Sequence, residues 1–261
     1  MQPYKDILFD VRGGVAKITI NRPEKYNAFT AETCEELIDA FRRSGYDKSV
    51  AVIVLGGAGD KAFCTGADQS THEGSYGGRG TLGLPIDELQ SLIRDVPKPV
   101  IARVQGFAIG GGNVLATLCD LTIASEKAVF GQVGPKVGSV DAGWGTAFLA
   151  RHVGDKKARE IWYLNERYTA EQAREMGLVN KVVPAAQLDA AVKEWTDKLA
   201  QRSPTAIALA KRSFNADSDN IRGISNFALH AVKLFYDTAE SKEGVAAFNE
   251  KREPNFHKFT S

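Results

Sequence analysis

The run VAVIVL, Val50 to Leu55, is apolar at every position, as expected of a strand covered on both faces rather than one with a wet side. A chain with such a strand must supply layers above and below it. VAKITI, Val15 to Ile20, is a β-rich run behind the turn residues Gly13 and Gly14. Between the two runs, TAETCEELIDAFRR sets Leu37, Ile38 and Phe41 on one helical stripe behind a Thr start signal. The order then recurs: IDELQSLIR as helix, PKPVIARV as strand, a glycine turn, NVLATLC as helix and LTIAS as strand. This alternation predicts a layered α/β core. After about Asp155 the text turns almost wholly helical, and GISNFALHAVKLFYDTAESKEGVAAFNEKR holds more apolar and aromatic residues than a lone terminal helix needs. We expect residues 1–200 to form the core and residues 201–261 a helical region packed on another subunit.

Charge narrows the partners. The 33 Lys and Arg nearly balance 32 Asp and Glu, and a net charge of +1 gives no broad attraction to nucleic acid or an anionic membrane. No apolar run approaches the ~18 residues of a membrane span, and MQPYKDILFD lacks the apolar core of a signal peptide. A cytoplasmic protein is expected. Cys34, Cys64 and Cys119 are scattered, odd in number and without metal-ligand spacing, so buried thiols are expected and no metal.

GFAIGGGNVLATLCD, Gly106 to Asp120, brings a triple glycine to the start of a helix, where free backbone N–H groups and the helix dipole favour negative charge. Taken alone, three glycines are simply a tight turn needing positive φ. No Lys-Ser/Thr follows them and the G-x-G-x-x-G spacing is absent, which weakens both nucleotide readings. AFCTGADQ, Ala62 to Gln69, is a second glycine turn behind the buried strand. Two such turns on adjacent strand ends can supply a pair of donors to one developing oxyanion.

NRPEKYNAF, AFCTGAD, GFAIGGGNVLATLCDLTIAS and AVFGQVGPKVGSVDAGWG stand in an order that resembles the crotonase superfamily, and the resemblance extends through the C-terminal helices. It implies an α/β spiral of ββα units with a C-terminal helical trimerisation region, assembled as a trimer or a dimer of trimers. It implies an acyl-CoA substrate, with the N–H groups of Ala67 and Gly111 holding the thioester oxygen as an enolate. Enoyl-CoA hydratases of this superfamily use two glutamates; the matching positions here are Val114 and Gly134, which cannot move a proton. In the branch that makes or breaks a carbon–carbon bond beside the thioester, a Ser and an Asp match Ser139 and Asp141, and a C-terminal Tyr matches Tyr236. Read in isolation, Asp141 is an N-cap for a helix beginning near Trp144.

Two groups within that branch compete. The stretch DQSTHEGSYGGRGTLGLP and the short N-terminus resemble the ring-opening hydrolases that convert 2-ketocyclohexanecarboxyl-CoA to pimeloyl-CoA in anaerobic benzoate degradation. Gln132, Gly134 and Trp162 instead match a pocket where some naphthoate synthases, which close a ring on o-succinylbenzoyl-CoA, hold bicarbonate. The ring-opening reading is preferred, with no cofactor beyond the CoA thioester and bicarbonate left open. His72 and Tyr76 lie in STHEGSYGG, which reads either as a loop over the substrate or as solvated surface. Lys25 and Lys251 resemble positions near the CoA phosphates and Phe248 one near the adenine. A non-catalytic acyl-CoA-binding or RNA-binding relative is the remaining alternative; the retained Ser139, Asp141 and Tyr236 and the neutral charge speak against it.

Overall fold

The computed structural model describes residues 4–71 and 75–259. Strands β1 (Ile7–Arg12) and β2 (Val15–Ile20) form an antiparallel hairpin turned by Gly13 and Gly14 at φ 56° and 78°. Two consecutive left-handed positions suit a two-residue hairpin turn, and glycine takes them without a Cβ clash. The next strands are β3 (Val52–Gly57), β4 (Ala62–Cys64), β5 (Val100–Val104) and β6 (Phe107–Ile109). They are followed by β7 (Leu121–Ser125), β8 (Val129–Gly131), β9 (Tyr168–Thr169) and β10 (Lys181–Val183). One sheet runs β1-β2-β3-β5-β7-β10 and the other β4-β6-β8-β9.

Helices α1 (Ala31–Tyr46), α2 (Ile86–Asp95) and α3 (Gly111–Leu118) separate successive strand pairs. After the β1–β2 hairpin and α1, which serve one sheet, the next two circuits each lay one strand in each sheet and then a helix: β3, β4, α2, then β5, β6, α3. This is the expected α/β spiral of ββα units. The remaining helices are α4 (Leu149–Val153), α5 (Asp155–Leu164), α6 (Ala170–Glu175) and α7 (Leu188–Ala200) in the core, then α8 (Pro204–Ala216), α9 (Asn220–Tyr236) and α10 (Ala239–Asn249).

The uninterrupted apolar character of β3 has a direct cause. Ile53 and Leu55 join the main core with Leu37, Phe41 and Ile93, whereas Val52 and Val54 join a second cluster with Ile101, Leu188 and Val192 under α7. Both faces of the strand are covered, as its sequence demands. The strand begins two residues later than VAVIVL and runs on through Gly56 and Gly57. Cys34, Cys64 and Cys119 are all buried free thiols, and burial raises the pKa of each. Among the described residues no helix is long and apolar enough to cross a membrane, and no cluster of side chains suits a metal ion.

Two buried cations tie the C-terminal helices to this core. Lys211 Nζ lies 2.7 Å from Asp120 Oδ2 and donates to the carbonyls of Ile93 and Lys98 at 3.0 Å each. Arg94 on α2 donates to Ser218 Oγ at 2.8 Å. Farther along, Ser241 Oγ donates to the Gly138 carbonyl at 2.7 Å. Tyr236, at the end of α9, is suspended between these anchors.

Candidate active site

A cavity of about 700 Å³ opens beside the strand ends and takes in Ala67, Gly111, Ser139, Asp141 and Tyr236. Its first wall is backbone. Gly66 O accepts from Phe29 N–H at 2.8 Å, and Asp68 N–H donates to Phe29 O at 2.9 Å. A trans peptide points its N–H opposite its carbonyl, so the Ala67 N–H faces away from Phe29. Gly110 O accepts from Val114 N–H at 3.1 Å inside α3, so the Gly111 N–H likewise points out of the helix start. The two loops touch: a Cβ on Gly66 would lie 2.9 Å from Gly111 N. The outer two glycines of the triplet have separate reasons. Gly110 sits at φ 56°, ψ −126°, a conformation closed to side chains, and a Cβ on Gly112 would stand 2.0 Å from Cys64 O.

Arg22 braces this wall from behind. It donates to Asp68 Oδ2 at 2.9 Å and to the Ala28 carbonyl. Burial alone would raise the Asp68 carboxyl, but bonds from Ser70 and Arg22 hold it below the usual range.

The opposite wall is made of side chains. Ser139 Oγ and Tyr236 Oη are 2.8 Å apart, Tyr236 is hydrogen-bonded to Tyr76, and Gln69 Nε2 donates to Tyr76 Oη at 3.0 Å. The result is a chain of hydroxyls from three distant segments. Burial raises both tyrosines, Tyr76 the further, so each is a neutral phenol near pH 7. Asp141 stands alongside, accepting from Gly145 N–H at 3.3 Å and from Gln90 Nε2 at 3.1 Å. Burial pushes its carboxyl up to about 6, with these two bonds pulling down. A carboxyl there can take or give a proton near neutral pH. The N-cap reading of Asp141 is not met: Gly143 is the N-cap of the helical turn Trp144–Phe148, and Asp141, two residues earlier, accepts from the Gly145 N–H without being the cap.

The positions of the missing glutamates are explained by packing. Val114 is fully buried beneath the site, and a Cβ on Gly134 would meet Ser139 O at 2.6 Å and Trp162 Cζ3 at 2.8 Å. Gln132, Gly134 and Trp162 do line the cavity, but the Trp162 indole N–H already donates to the Gly145 carbonyl. Lys25 and Phe248 sit on the cavity wall, Phe248 more than half exposed, whereas Lys251 is not among the lining residues. His72 lies outside the described residues. Sequence reasoning missed Gln69 and Gln90. The signal for Gln90 was present: in IDELQSLIRD it shares the stripe of Ile86, Leu89 and Ile93, a polar residue where only core belongs.

The enoyl-CoA hydratase/isomerase family model matches residues 10–259 of this chain. An enoyl-CoA hydratase from Mycobacterium avium subsp. paratuberculosis K-10 is similar in structure, with 31% identity, 97% of this chain and 99% of that one covered, and a TM-score of 0.88. A carnitinyl-CoA hydratase from Mycobacterium avium is similar at 32% identity, with 96% and 97% covered and a TM-score of 0.82.

Proposed function

Because the chain belongs to the enoyl-CoA hydratase/isomerase family, the crotonase superfamily, we propose that it cleaves a carbon–carbon bond beside a CoA thioester. The specific reading is hydrolytic ring opening of 2-ketocyclohexanecarboxyl-CoA to pimeloyl-CoA. The observation that carries the chemistry is Asp141 beside the Ser139–Tyr236–Tyr76 hydroxyl chain, facing two outward backbone N–H groups, with Val114 and Gly134 in place of proton-carrying residues. The stretch Asp68 to Pro85, resembling the ring-opening group, supplies the choice of substrate.

In this reading Asp141, as carboxylate, takes a proton from water, whose oxygen adds to the ring ketone carbon. The tetrahedral adduct collapses, the bond to the α-carbon breaks, and its electron pair moves into the thioester as an enolate. The Ala67 and Gly111 N–H groups stabilise that oxyanion. Tyr236, linked to Ser139 and Tyr76, delivers a proton to the α-carbon and regains one from Asp141, while the former ketone, now a carboxylic acid, releases its proton to solvent and leaves as the distal carboxylate. Water balances the step, so the reading calls for no cofactor beyond the thioester. Lys25 and Phe248 serve the CoA moiety, and residues 201–261 serve assembly: Phe214, Phe227 and Leu234 are each more than 70% exposed on α8 and α9, an apolar face suited to a second copy of the chain.

A second reading, 1,4-dihydroxy-2-naphthoyl-CoA synthesis by ring closure, is favoured by Gln132, Gly134 and Trp162 on the cavity wall. One experiment separates these from hydration: incubation with 2-ketocyclohexanecarboxyl-CoA, o-succinylbenzoyl-CoA and crotonyl-CoA, followed by mass spectrometry. The expected result is gain of one water by the ring ketone only. Loss of water from o-succinylbenzoyl-CoA would promote the synthase, and efficient hydration of crotonyl-CoA would remove both readings.

A further inference from the structure

Helix α2 carries two polar side chains on its buried face, one turn apart: Gln90 and Arg94, each 2% exposed. Arg94 lies 4.7 Å from the Trp144 ring centroid and 4.6 Å from that of Phe148, which pins the turn following Asp141. Gln90 reaches Asp141 itself. Its Nε2 donates to Asp141 Oδ2 at 3.1 Å, while Oε1 of the same amide is buried with no partner among the described residues. The mechanism above gives Gln90 no role.

A buried amide with one committed donor and one idle acceptor, set against a titrating carboxyl, has a particular capacity. Toward the carboxylate its NH₂ donates; once the carboxyl gains a proton, a half-turn of the amide brings Oε1 round to accept the new O–H. The two ends of the amide have nearly the same shape, so the turn needs no repacking. We propose that Gln90 is a positioning residue that holds Asp141 in one orientation in both of its protonation states. A carboxyl that takes a proton from water and later releases it then keeps its aim at the substrate throughout. This rests on Asp141 serving as the base in the ring-opening reading.

The surroundings leave this task to the amide. Among the described residues, Tyr236 from α9 is the ionisable group that faces Asp141, with Tyr76 hydrogen-bonded behind it. Val114 from α3 and Trp162 from α5 meet Asp141 around Gly145 and carry no charge. Arg94, on α2 itself, is directed at Trp144, Phe148, Asn215 and Ser218. With burial raising the carboxyl to about 6, Gln90 and Gly145 supply the opposing donors.

The test is an infrared titration of the Asp141 carboxyl in the free enzyme, its band identified by subtraction of the Asp141→Asn spectrum. Gln90→Met keeps length and apolar packing but removes both donor and acceptor; Gln90→Glu places a second acid against the first. The midpoint is expected about one pH unit higher in Gln90→Met, the amount by which the charge-assisted bond to the carboxylate exceeds the neutral bond that Oε1 accepts from the protonated acid, and higher still in Gln90→Glu. The acid limb of kcat/KM should move with it while KM for the thioester stays. A merely structural Gln90 would lower Tm and leave the midpoint in place, and wild-type midpoints in the folded variants overturn the proposal. The titration needs no turnover. A moved midpoint without ring opening would therefore sink the reaction assigned above and leave the positioning role standing.

Discussion

The two walls of the cavity are built on different principles. The wall of Ala67 and Gly111 is backbone, its donors aimed by peptide planarity and by glycines that let two loops pack so closely that a Cβ on Gly66 would lie 2.9 Å from Gly111 N. The wall of Asp141, Ser139 and Tyr236 is side chain, and its parts come from α2, the loop before the Trp144–Phe148 turn, the segment around Tyr76, and α9. The first is local and chemically generic, and in the proposed reading it serves any thioester that must carry negative charge on oxygen. The second is assembled at long range and decides what happens to that charge. Solved relatives named as hydratases share the overall fold; Val114 and Gly134 lie next to the second wall, at the positions where the resemblance to hydratases would put glutamates.

The contrast is broken most severely at Asp141. Asp141→Asn keeps the acceptor for the Gly145 N–H and removes the proton carrier, so turnover should fall by about 10²–10⁴ with thioester affinity nearly unchanged. Stability should move the other way. The folded carboxyl titrates near about 6 against an ordinary 3.8, so ionising it opposes folding: its contribution is fully present below 3.8 and lost as pH rises toward 6. The Asn variant should therefore melt higher than wild type at pH 8 and equally at pH 3.5, measured by calorimetry. A variant with near-normal turnover would remove Asp141 from the chemistry.

On the backbone wall, Gly110→Ala forces a side chain into φ 56°, ψ −126°, at a cost of about 1–3 kcal/mol. If the Gly111 N–H loses its aim, kcat should drop by about 10²–10³, the loss typical of one oxyanion donor. Here, unlike at Asp141, stability and turnover fall together, and kinetics paired with thermal melts would show it. The smallest effect is expected at the rim. Phe248→Ala removes an exposed ring from the cavity edge and should raise KM several-fold, about 1 kcal/mol, at unchanged kcat. A fall in kcat there would mean that the rim and the side-chain wall are coupled.

This difference also sets what could be read from the sequence. Glycines at 66 and 110–112 announce the backbone wall, because local geometry demands them and little else fits. The strand–helix alternation and the two-faced burial of β3 were likewise legible, since periodicity is a local property. Strands β4, β6, β8 and β9 were not, being two or three residues long and held by neighbours rather than by propensity. Ser139, Asp141 and Tyr236 could be picked out only by resemblance. Gln90 escaped notice because a helix stripe shows which residues are buried, never what they meet.

The anchoring of α9 carries a consequence for how the protein comes into being. Tyr236 bonds to Ser139 across 97 positions of chain, and Ser241 clasps Gly138 across 103. Both contacts wait for the last stretch of the polypeptide to be made. A chain emerging from the ribosome amino end first has the elements of its thioester cradle by the close of α3, well before any phenol can reach Ser139. Through most of its synthesis the nascent chain lacks Tyr236, so the side-chain wall of the proposed site is the last part to be completed. Completion of the chain, and the docking of its final helices, arms the site.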